Sequence, residues 1–293
     1  KDFFNIVDPN GIDSKIWSDE GAVNLFLNRS YDLIIPTWPT VGGIHNTSDE
    51  LNNANTAFLY GTLVENSVTD IGTGTSITTN RYFDIRRCNI AIEGLNDGNL
   101  PEATKNTLKG QFFFLRAFVY FRLVSLYGGV PLILKAQDLN GEDLNVPRSK
   151  TSECIAAITR DLDSAAAFLP TSWTSTNIGR ITKATALAYK GKALLYWASP
   201  QFNPTNIADR WENAYKANKA AYDTALANGY LLFSNYANIF VTENNAEAML
   251  VRKHDAISIS PGRGTNNEYI TRPFSEGGGG GSTEGDGGGT GEV

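Results

Sequence analysis

The stretch that most restricts the fold is GQFFFLRAFVYFRLVSLYGGVPLIL, residues 110–134. It is apolar on almost every side of a helix, yet it contains Arg116 and Arg122, and Gly-Gly-Val-Pro follows Tyr127. Its charge-free runs are far shorter than the roughly 20 apolar residues that cross a bilayer, and each arginine would be costly in mid-membrane. The stretch therefore predicts a helix inside the protein, whose arginines need carboxylate or carbonyl partners.

Five further segments show helical periodicity, so the predicted fold class is mainly α. Ser18 is the expected N-cap of the first helix, Gly128 suits the left-handed position after the third, and Pro170 ends the fourth. The six predicted helices span about 19–35, 81–95, 101–127, 152–169, 182–198 and 208–228.

The fifth and sixth predicted helices read as a helix–turn–helix pair in which small residues alternate with large ones. This pattern is similar to that of tetratricopeptide repeats, although no strict repeat of about 34 residues is visible. Residues 231–252 are expected to hold a short helix and a strand at 248–251. The sequence EGGGGGSTEGDGGGTGEV then has linker composition. We predict a helical domain over 1–275 and a glycine-rich flexible tail or truncation end over 276–293.

Composition and motifs exclude several functions. With 41% hydrophobic and 19% charged residues the chain is globular, and a net charge of −6 without clustered Lys or Arg argues against nucleic-acid binding. The two histidines and two cysteines lack metal-ligand spacing, so no metal and no cofactor are expected. Cys88 and Cys154 are expected to be buried, with a disulfide between them left open. No GxSxG, HExxH or Walker motif is present, so no enzymatic activity is expected.

Aromatic and amide residues concentrate in the long irregular stretch 37–80 and in a polar loop around residue 173. Aromatic faces stack on sugar rings, and amide and carboxylate groups bond their hydroxyls, so these residues are candidates for glycan binding. The alternative is that the aromatics pack beneath the loops and the asparagines form turns. Trp197 and Trp211, on helices, are expected in the core. The candidate glycan-binding residues are Trp38, Asn46, Asp49, Tyr60, Asn80 and Trp173.

The third predicted helix also resembles the hallmark of the SusD/RagB family. That hallmark is Arg-Ala, then aromatics, then Leu-Tyr-Gly-Gly-Val-Pro-Leu, and here it occupies 116–117, 120–121 and 126–132. YFDIRRCN at 82–89 is similar to the family's preceding helix, and 180–198 followed by SPQFNP is similar to a later one. The hallmark residues with an expected structural role are Arg116, Tyr120, Arg122, Tyr127, Gly128, Gly129 and Pro131.

The resemblance implies an α-rich fold of tetratricopeptide-like paired helices with long loops. It also implies a non-catalytic lipoprotein on the surface of Bacteroidetes-type bacteria, which binds oligosaccharides and delivers them to a SusC-like TonB-dependent outer-membrane barrel. KDFF at 1–4 looks like the residues after a lipidated cysteine, so the membrane is expected to be reached only through a lipid anchor that this chain lacks. The alternative is a helical-repeat protein that binds peptides or a partner protein for import.

Overall fold

The structure, a computed structural model, describes residues 14–35, 62, 80–138, 144–174, 177–239, 242 and 244–251. Over these ranges the chain forms a 3-10 helix, seven α-helices and no β-strand, so the mainly α prediction is confirmed. Contacts divide the chain into two compact units, and all the described helices belong to the same unit. The 3-10 helix is Ser14–Ser18, and the α-helices are α1 Glu20–Ile34, α2 Arg81–Asp97, α3 Glu102–Tyr127, α4 Thr151–Phe168, α5 Lys183–Ala198, α6 Ala208–Ala227 and α7 Tyr236–Ile239.

Helix α3 is the centre of this unit. From α2 to α6 each helix packs on the next one along the chain, and α3 additionally contacts α1 and α5. Because α3 has neighbours on several sides, its buried residues include Phe112 on one face and Phe114 and Phe121 on the opposite face. A helix that is apolar all round is expected to be buried in this way. Within the described part of the chain, no helix is both long and apolar enough to cross a membrane.

The first α-helix begins one residue later than its sequence suggests. The Oδ1 atom of Asp19 accepts a hydrogen bond of 3.1 Å from the backbone N–H of Ala22, so Asp19 acts as the N-cap. The predicted N-cap, Ser18, ends the preceding 3-10 helix. Its hydroxyl instead accepts the backbone N–H of Asn99 at 3.1 Å, a partner 81 residues away. The prediction of Ser18 as the cap is therefore wrong, because a tertiary contact uses its hydroxyl.

The glycine pair after α3 is required by backbone geometry. Gly128 has φ 69° and ψ −128°, so its φ is positive as predicted, although its ψ lies outside the ordinary left-handed helical region. A Cβ on Gly129 would lie 2.0 Å from the carbonyl oxygen of Ser149. The side chain of Arg148 donates from Nε to the carbonyl of Gly129 at 2.8 Å and from Nη2 to that of Tyr127 at 2.5 Å. The turn thus holds the chain that leads into α4 tightly against the end of α3.

Two predictions about the later part of the chain are wrong. Residues 248–251 contain bends at 249 and 250 and no strand, and their backbone is held by single bonds such as Val251 N–H to the carbonyl of Gly179 at 3.0 Å. Trp211 is 40% exposed and not in the core, because α6 buries Ala214 and Ala221 and turns its aromatic face away.

Other predictions are confirmed or refined. The short helix expected after residue 231 is α7. Trp197 is half-buried, with the guanidinium of Arg210 3.7 Å from its ring centroid. Cys88 and Cys154 are both buried, as predicted, and both are free thiols, which answers the open disulfide question. The predicted domain boundary at 275 lies outside the described residues.

Candidate functional site

Arg116 is the buried hub of the hallmark segment. It is 5% exposed, and its Nε and Nη2 atoms donate to the two carboxylate oxygens of Asp161 at 2.7 Å each. Its Nη1 donates to Oδ1 of Asn89 at 2.8 Å and to the carbonyl of Leu134 at 3.1 Å. Burial by itself would lower the pKa of Arg116, but the hydrogen bonds and charge of Asp161 raise it above the ordinary value. The bidentate geometry is that of an ionised pair.

Two side chains around Arg116 hold the extended segment that follows α3. The amide nitrogen of Asn89 donates to the carbonyls of Ile133 and Lys135 at 2.9 and 3.0 Å. The hydroxyl of Tyr120 donates to the carbonyl of Ile133 at 3.0 Å and accepts that residue's N–H at 2.7 Å. We call Arg116, Asp161, Asn89 and Tyr120 the Arg116 centre. Its polar groups bond to one another and to backbone, so they serve the structure of the segment rather than a ligand.

The other hallmark residues lie around this centre. The carbonyl of Pro131 accepts the hydroxyl of Tyr82 at 3.0 Å, and burial raises the pKa of that hydroxyl to about 12. Arg122 is half-buried, with its guanidinium 6.0 Å from the ring centroid of Phe118. The carboxylate or carbonyl partner expected for Arg122 stays a prediction.

Trp173 lines a cleft of about 260 Å³ formed by the start of α1, the first half of α3 and the loop before α5. The cleft presents one aromatic ring, several amides and hydroxyls, and one guanidinium. We call it the Trp173 cleft, and its residues used below are Glu20, Asn24, Thr107, Gln111, Trp173, Asn177 and Arg180.

A hydrogen-bond network forms the floor of the Trp173 cleft. Gln111 is 1% exposed, and its Oε1 atom accepts from the hydroxyl of Tyr31 at 2.9 Å and from Nη1 of Arg180 at 3.3 Å. The Nη2 atom of Arg180 donates to Oδ1 of Asn28 at 2.6 Å. Among the described residues, no carboxylate forms an ion pair with Arg180. Within the described residues Arg180 therefore has no ion pair, although one carboxylate, that of Glu20, also lines the cleft.

The indole of Trp173 is held in a defined orientation. Its Nε1 atom donates to the carbonyl of Ile181 at 2.8 Å, just before α5 begins, and the residue is half-buried. The polar edge of the ring is therefore occupied, and the remaining exposed part of the ring borders the cleft. An aromatic surface beside amide and guanidinium donors fits a sugar ring and its hydroxyls.

Asn80 lies in a different cleft from Trp173. It is the N-cap of α2, and its Oδ1 atom accepts the backbone N–H of Tyr82 at 2.9 Å. The cleft it lines has a volume of about 180 Å³ and is shared with Phe83, Arg86 and Lys135. The two described candidates, Asn80 and Trp173, thus belong to separate sites. The other four, Trp38, Asn46, Asp49 and Tyr60, lie outside the described residues.

Sequence reasoning missed most residues of the Trp173 cleft. The one available signal was Gln111, a polar side chain at the start of the apolar hallmark stretch, where burial requires hydrogen-bond partners. Nothing local marks Arg180 or Asn24, because their proximity depends on the packing of α1 and α3. In the described part of the chain, no three His, Cys, Asp or Glu residues are grouped so that they could hold a metal ion.

Comparison with known proteins identifies the family. A SusD-like family model described as "Starch-binding associating with outer membrane" matches residues 41–195, more than half of the chain. The chain therefore belongs to the SusD-like family.

Curated relatives come from Formosa agariphila. SusD-like protein P38 is 24% identical over 228 residues, which cover 72% of this chain and 44% of P38. SusD-like protein P2 is 32% identical over 114 residues, or 39% of this chain and 22% of P2. The chain thus spans less than half the length of either relative.

Solved structures share the helical architecture. A SusD-like protein from Bacteroides fragilis matches with a TM-score of 0.59 and 28% identity, over 76% of this chain and 40% of that protein. A structure titled "Laminarin binding SusD-like protein" matches with a TM-score of 0.62 and 22% identity, over 78% of this chain and 50% of that one. A SusD-like carbohydrate binding protein, also from Bacteroides fragilis, matches with a TM-score of 0.56 and 20% identity, over 77% of this chain and 44% of that protein. The tetratricopeptide-like paired-helix prediction is confirmed by this shared fold.

Proposed function

We propose that this chain is part of a non-catalytic protein that binds oligosaccharides at the cell surface and delivers them to a TonB-dependent outer-membrane transporter of the SusC-like type. Membership of a family described as starch-binding and associated with the outer membrane supports the proposal. Two structural relatives described as laminarin-binding and carbohydrate-binding also support it. The proposed location is the outer surface of the outer membrane, with attachment through a lipid.

The Trp173 cleft is the observation on this chain that carries the proposal. Oligosaccharide recognition needs an aromatic face for the C–H side of a sugar ring and fixed polar groups for its hydroxyls. The fixed bond from Trp173 to the Ile181 carbonyl presents the ring in one orientation. Gln111 has an amide nitrogen whose bond to the Thr107 carbonyl is long, at 3.4 Å, so it can donate to a ligand hydroxyl with little loss.

The composition of the cleft favours binding over cleavage. Glycoside hydrolysis ordinarily uses two carboxyl groups about 5 to 10 Å apart on either side of the scissile bond. Glu20 is the single carboxylate among the described residues that line the Trp173 cleft. Amides and a guanidinium can hold a sugar through hydrogen bonds without transferring protons, which is what reversible binding requires.

Replacement of Trp173 tests the proposal. With laminarihexaose and maltohexaose as probes, isothermal titration calorimetry on the full chain is expected to detect binding of at least one. Trp173→Ala is expected to weaken that binding about two- to ten-fold, because the loss of an aromatic contact is worth about 0.5–1.5 kcal/mol. Circular dichroism checks folding, since the change also removes the bond to Ile181.

Trp211→Ala is the matched control, because Trp211 is exposed on α6 and lies outside the cleft. Its affinity for both probes is expected to equal that of the unmodified chain. Absence of binding to either saccharide, together with binding of a peptide library, would replace the proposal with the peptide-binding alternative. Equal losses of affinity in the two tryptophan variants would mean that the sugar binds outside the Trp173 cleft.

A further inference from the structure

We infer that a second cleft, around Phe83, binds a negatively charged sugar unit that carries a carboxylate or a sulfate group. The inference rests on the proposed function and adds the chemical class of one ligand unit. We call this site the Phe83 cleft, and its residues used below are Asn80, Phe83, Arg86, Lys135 and Gln137.

The Phe83 cleft lies between the first turns of α2 and the extended segment after α3. Its volume of about 180 Å³ is below the roughly 300 Å³ at which pockets for drug-sized ligands begin. The site therefore suits one sugar ring of a longer chain and not a whole oligosaccharide.

Two cations border this cleft, and neither has a carboxylate partner in the described part of the chain. Arg86 and Lys135 are both exposed, and neither forms an ion pair with any described carboxylate. No acidic residue is among the described residues that line the cleft. Elsewhere lysines do find partners, as Lys190 does with Asp163 at 2.6 Å. Because like charges in one cleft repel, an anion between them would be stabilised.

The side chain of Arg86 and the backbone of Lys135 are each held by hydrogen bonds. Nη1 of Arg86 donates to the carbonyl of Gln137, a residue of the same cleft, at 2.6 Å, which leaves Nε and Nη2 as donors. The carbonyl of Lys135 accepts a bond of 3.0 Å from Asn89, a member of the Arg116 centre. The backbone that carries Lys135 is therefore anchored to the buried core, although its ammonium group is in solvent.

The remaining groups of the cleft suit a sugar and not a simple inorganic anion. Phe83 is 42% exposed on a helix whose other apolar residues are largely buried, so it presents an aromatic face for sugar C–H groups. The side-chain oxygen of Asn80 is occupied by the N-cap bond, which leaves its amide nitrogen to donate to a hydroxyl. An aromatic face, an amide donor and two cations together fit a uronate or a sulfated sugar.

Matched saccharide pairs test this inference by calorimetry. The first pair is a tetragalacturonate and its methyl ester, which removes the charge and adds a methyl group at each carboxyl. The second pair is a sulfated galactan oligosaccharide and its desulfated form. The charged member of at least one pair is expected to bind at least five-fold more tightly, and which pair shows the preference identifies the anionic group. This preference is expected to shrink between 50 and 500 mM NaCl because exposed charges are screened by salt.

Two variants test whether the preference for the charged saccharide arises at the Phe83 cleft. Lys135→Gln is expected to lower affinity for the charged saccharide about three-fold, and the double variant Arg86→Gln/Lys135→Gln about ten-fold, from the roughly 0.2–1 kcal/mol of an exposed charge pair and its doubling. Lys192→Gln, which removes an exposed lysine of α5 outside the cleft, is the charge-matched control and is expected to bind as the unmodified chain does.

The outcomes separate the two proposals. Equal affinity for charged and neutral partners in both pairs overturns this inference, and so does a charge preference that survives in the double variant. Binding of laminarihexaose or maltohexaose in those cases leaves the proposed function intact. If none of the neutral or charged saccharides binds, the proposed function itself fails.

Discussion

The Arg116 centre and the Trp173 cleft are built from the same three kinds of side chain. In the centre, Arg116 acts with the amide of Asn89 and the hydroxyl of Tyr120. In the cleft, the corresponding groups are Arg180, Gln111 and Tyr31. Each tyrosine hydroxyl also accepts one backbone N–H, from Ile133 in the centre and from Ile181 in the cleft.

The two regions differ in how the guanidinium is compensated. Arg116 is matched by the carboxylate of Asp161 and is buried. Arg180 is held by the amide oxygens of Gln111 and Asn28 and stays half-exposed beside open space. An interior charge is tolerated only with a close counter-charge and full hydrogen bonding. The comparison shows that the same residue types serve structure where they are neutralised and remain available to a ligand where they are not.

The two regions are expected to differ most in the stability that is lost when the arginine of each is replaced. Arg116→Met is expected to lower the free energy of unfolding by about 3–5 kcal/mol, because Asp161 is left as a buried, unpaired charge. Arg180→Met is expected to lower it by about 1 kcal/mol, since only hydrogen bonds to neutral amides are lost. Urea denaturation followed by circular dichroism measures both values.

A double variant checks the reason for that difference. Arg116→Met/Asp161→Leu is expected to be more stable than Arg116→Met alone, because the unpaired carboxylate is gone. Equal destabilisation by Arg116→Met and Arg180→Met would show that the two regions do not differ in the way described.

Replacement of the tyrosine in each region should lower the stability of the protein by a similar amount. Tyr120→Phe and Tyr31→Phe are each expected to lower the free energy of unfolding by about 1–2 kcal/mol, since each removes a hydroxyl that bonds a backbone group. Burial raises the pKa of both hydroxyls far above the ordinary value.

The raised pKa values predict a decline in stability at alkaline pH. Above about pH 10 the unfolded chain releases these protons while the folded chain keeps them, so the free energy of unfolding falls as pH rises, by about 1.4 kcal/mol per pH unit for each tyrosine. Each Phe variant is expected to fall less steeply than the unmodified chain between pH 10 and pH 11. Parallel slopes in all three proteins would contradict the assignment.

The smallest expected effect concerns the indole nitrogen of Trp173. Trp173→Phe keeps an aromatic face but removes the donor to the Ile181 carbonyl, and it is expected to lower the free energy of unfolding by about 0.5–1 kcal/mol. Thermal unfolding measures the change. The affinity for a bound hexasaccharide is expected to fall less than in Trp173→Ala; a loss as large as with alanine would mean that the orientation of the ring matters more than its face.

Local signals in the sequence predicted most helix ends. The predicted fifth helix starts at Thr182, and in the structure this residue is the N-cap of α5, where its hydroxyl accepts the N–H of Thr185 at 3.3 Å. Pro170 and the glycine pair after Tyr127 mark the ends of α4 and α3. These signals work because a helix end satisfies its own backbone groups within a few residues. The prediction of Ser18 as the cap of α1 is wrong, because its hydroxyl accepts a hydrogen bond from the distant backbone N–H of Asn99.

The candidate site could be predicted only in part. Trp173 and Asn80 were found as single residues of suitable chemistry. That they border separate clefts, and that Gln111 and Arg180 join Trp173, was not predictable. Such groupings bring together side chains from α1, α3 and the loop before α5, and no periodicity encodes those distances.

The sequence by itself determined the mainly α class, most of the helix limits to within two residues, the burial of α3 and the need of Arg116 for a partner. Each of these follows from hydrophobic periodicity, capping chemistry or the energy of burying a charge, which act locally. Only the tertiary structure decided that the partner of Arg116 is Asp161, 45 residues away on α4. It also decided that Arg180 is not neutralised in the same way, because helix packing alone sets which side chains meet.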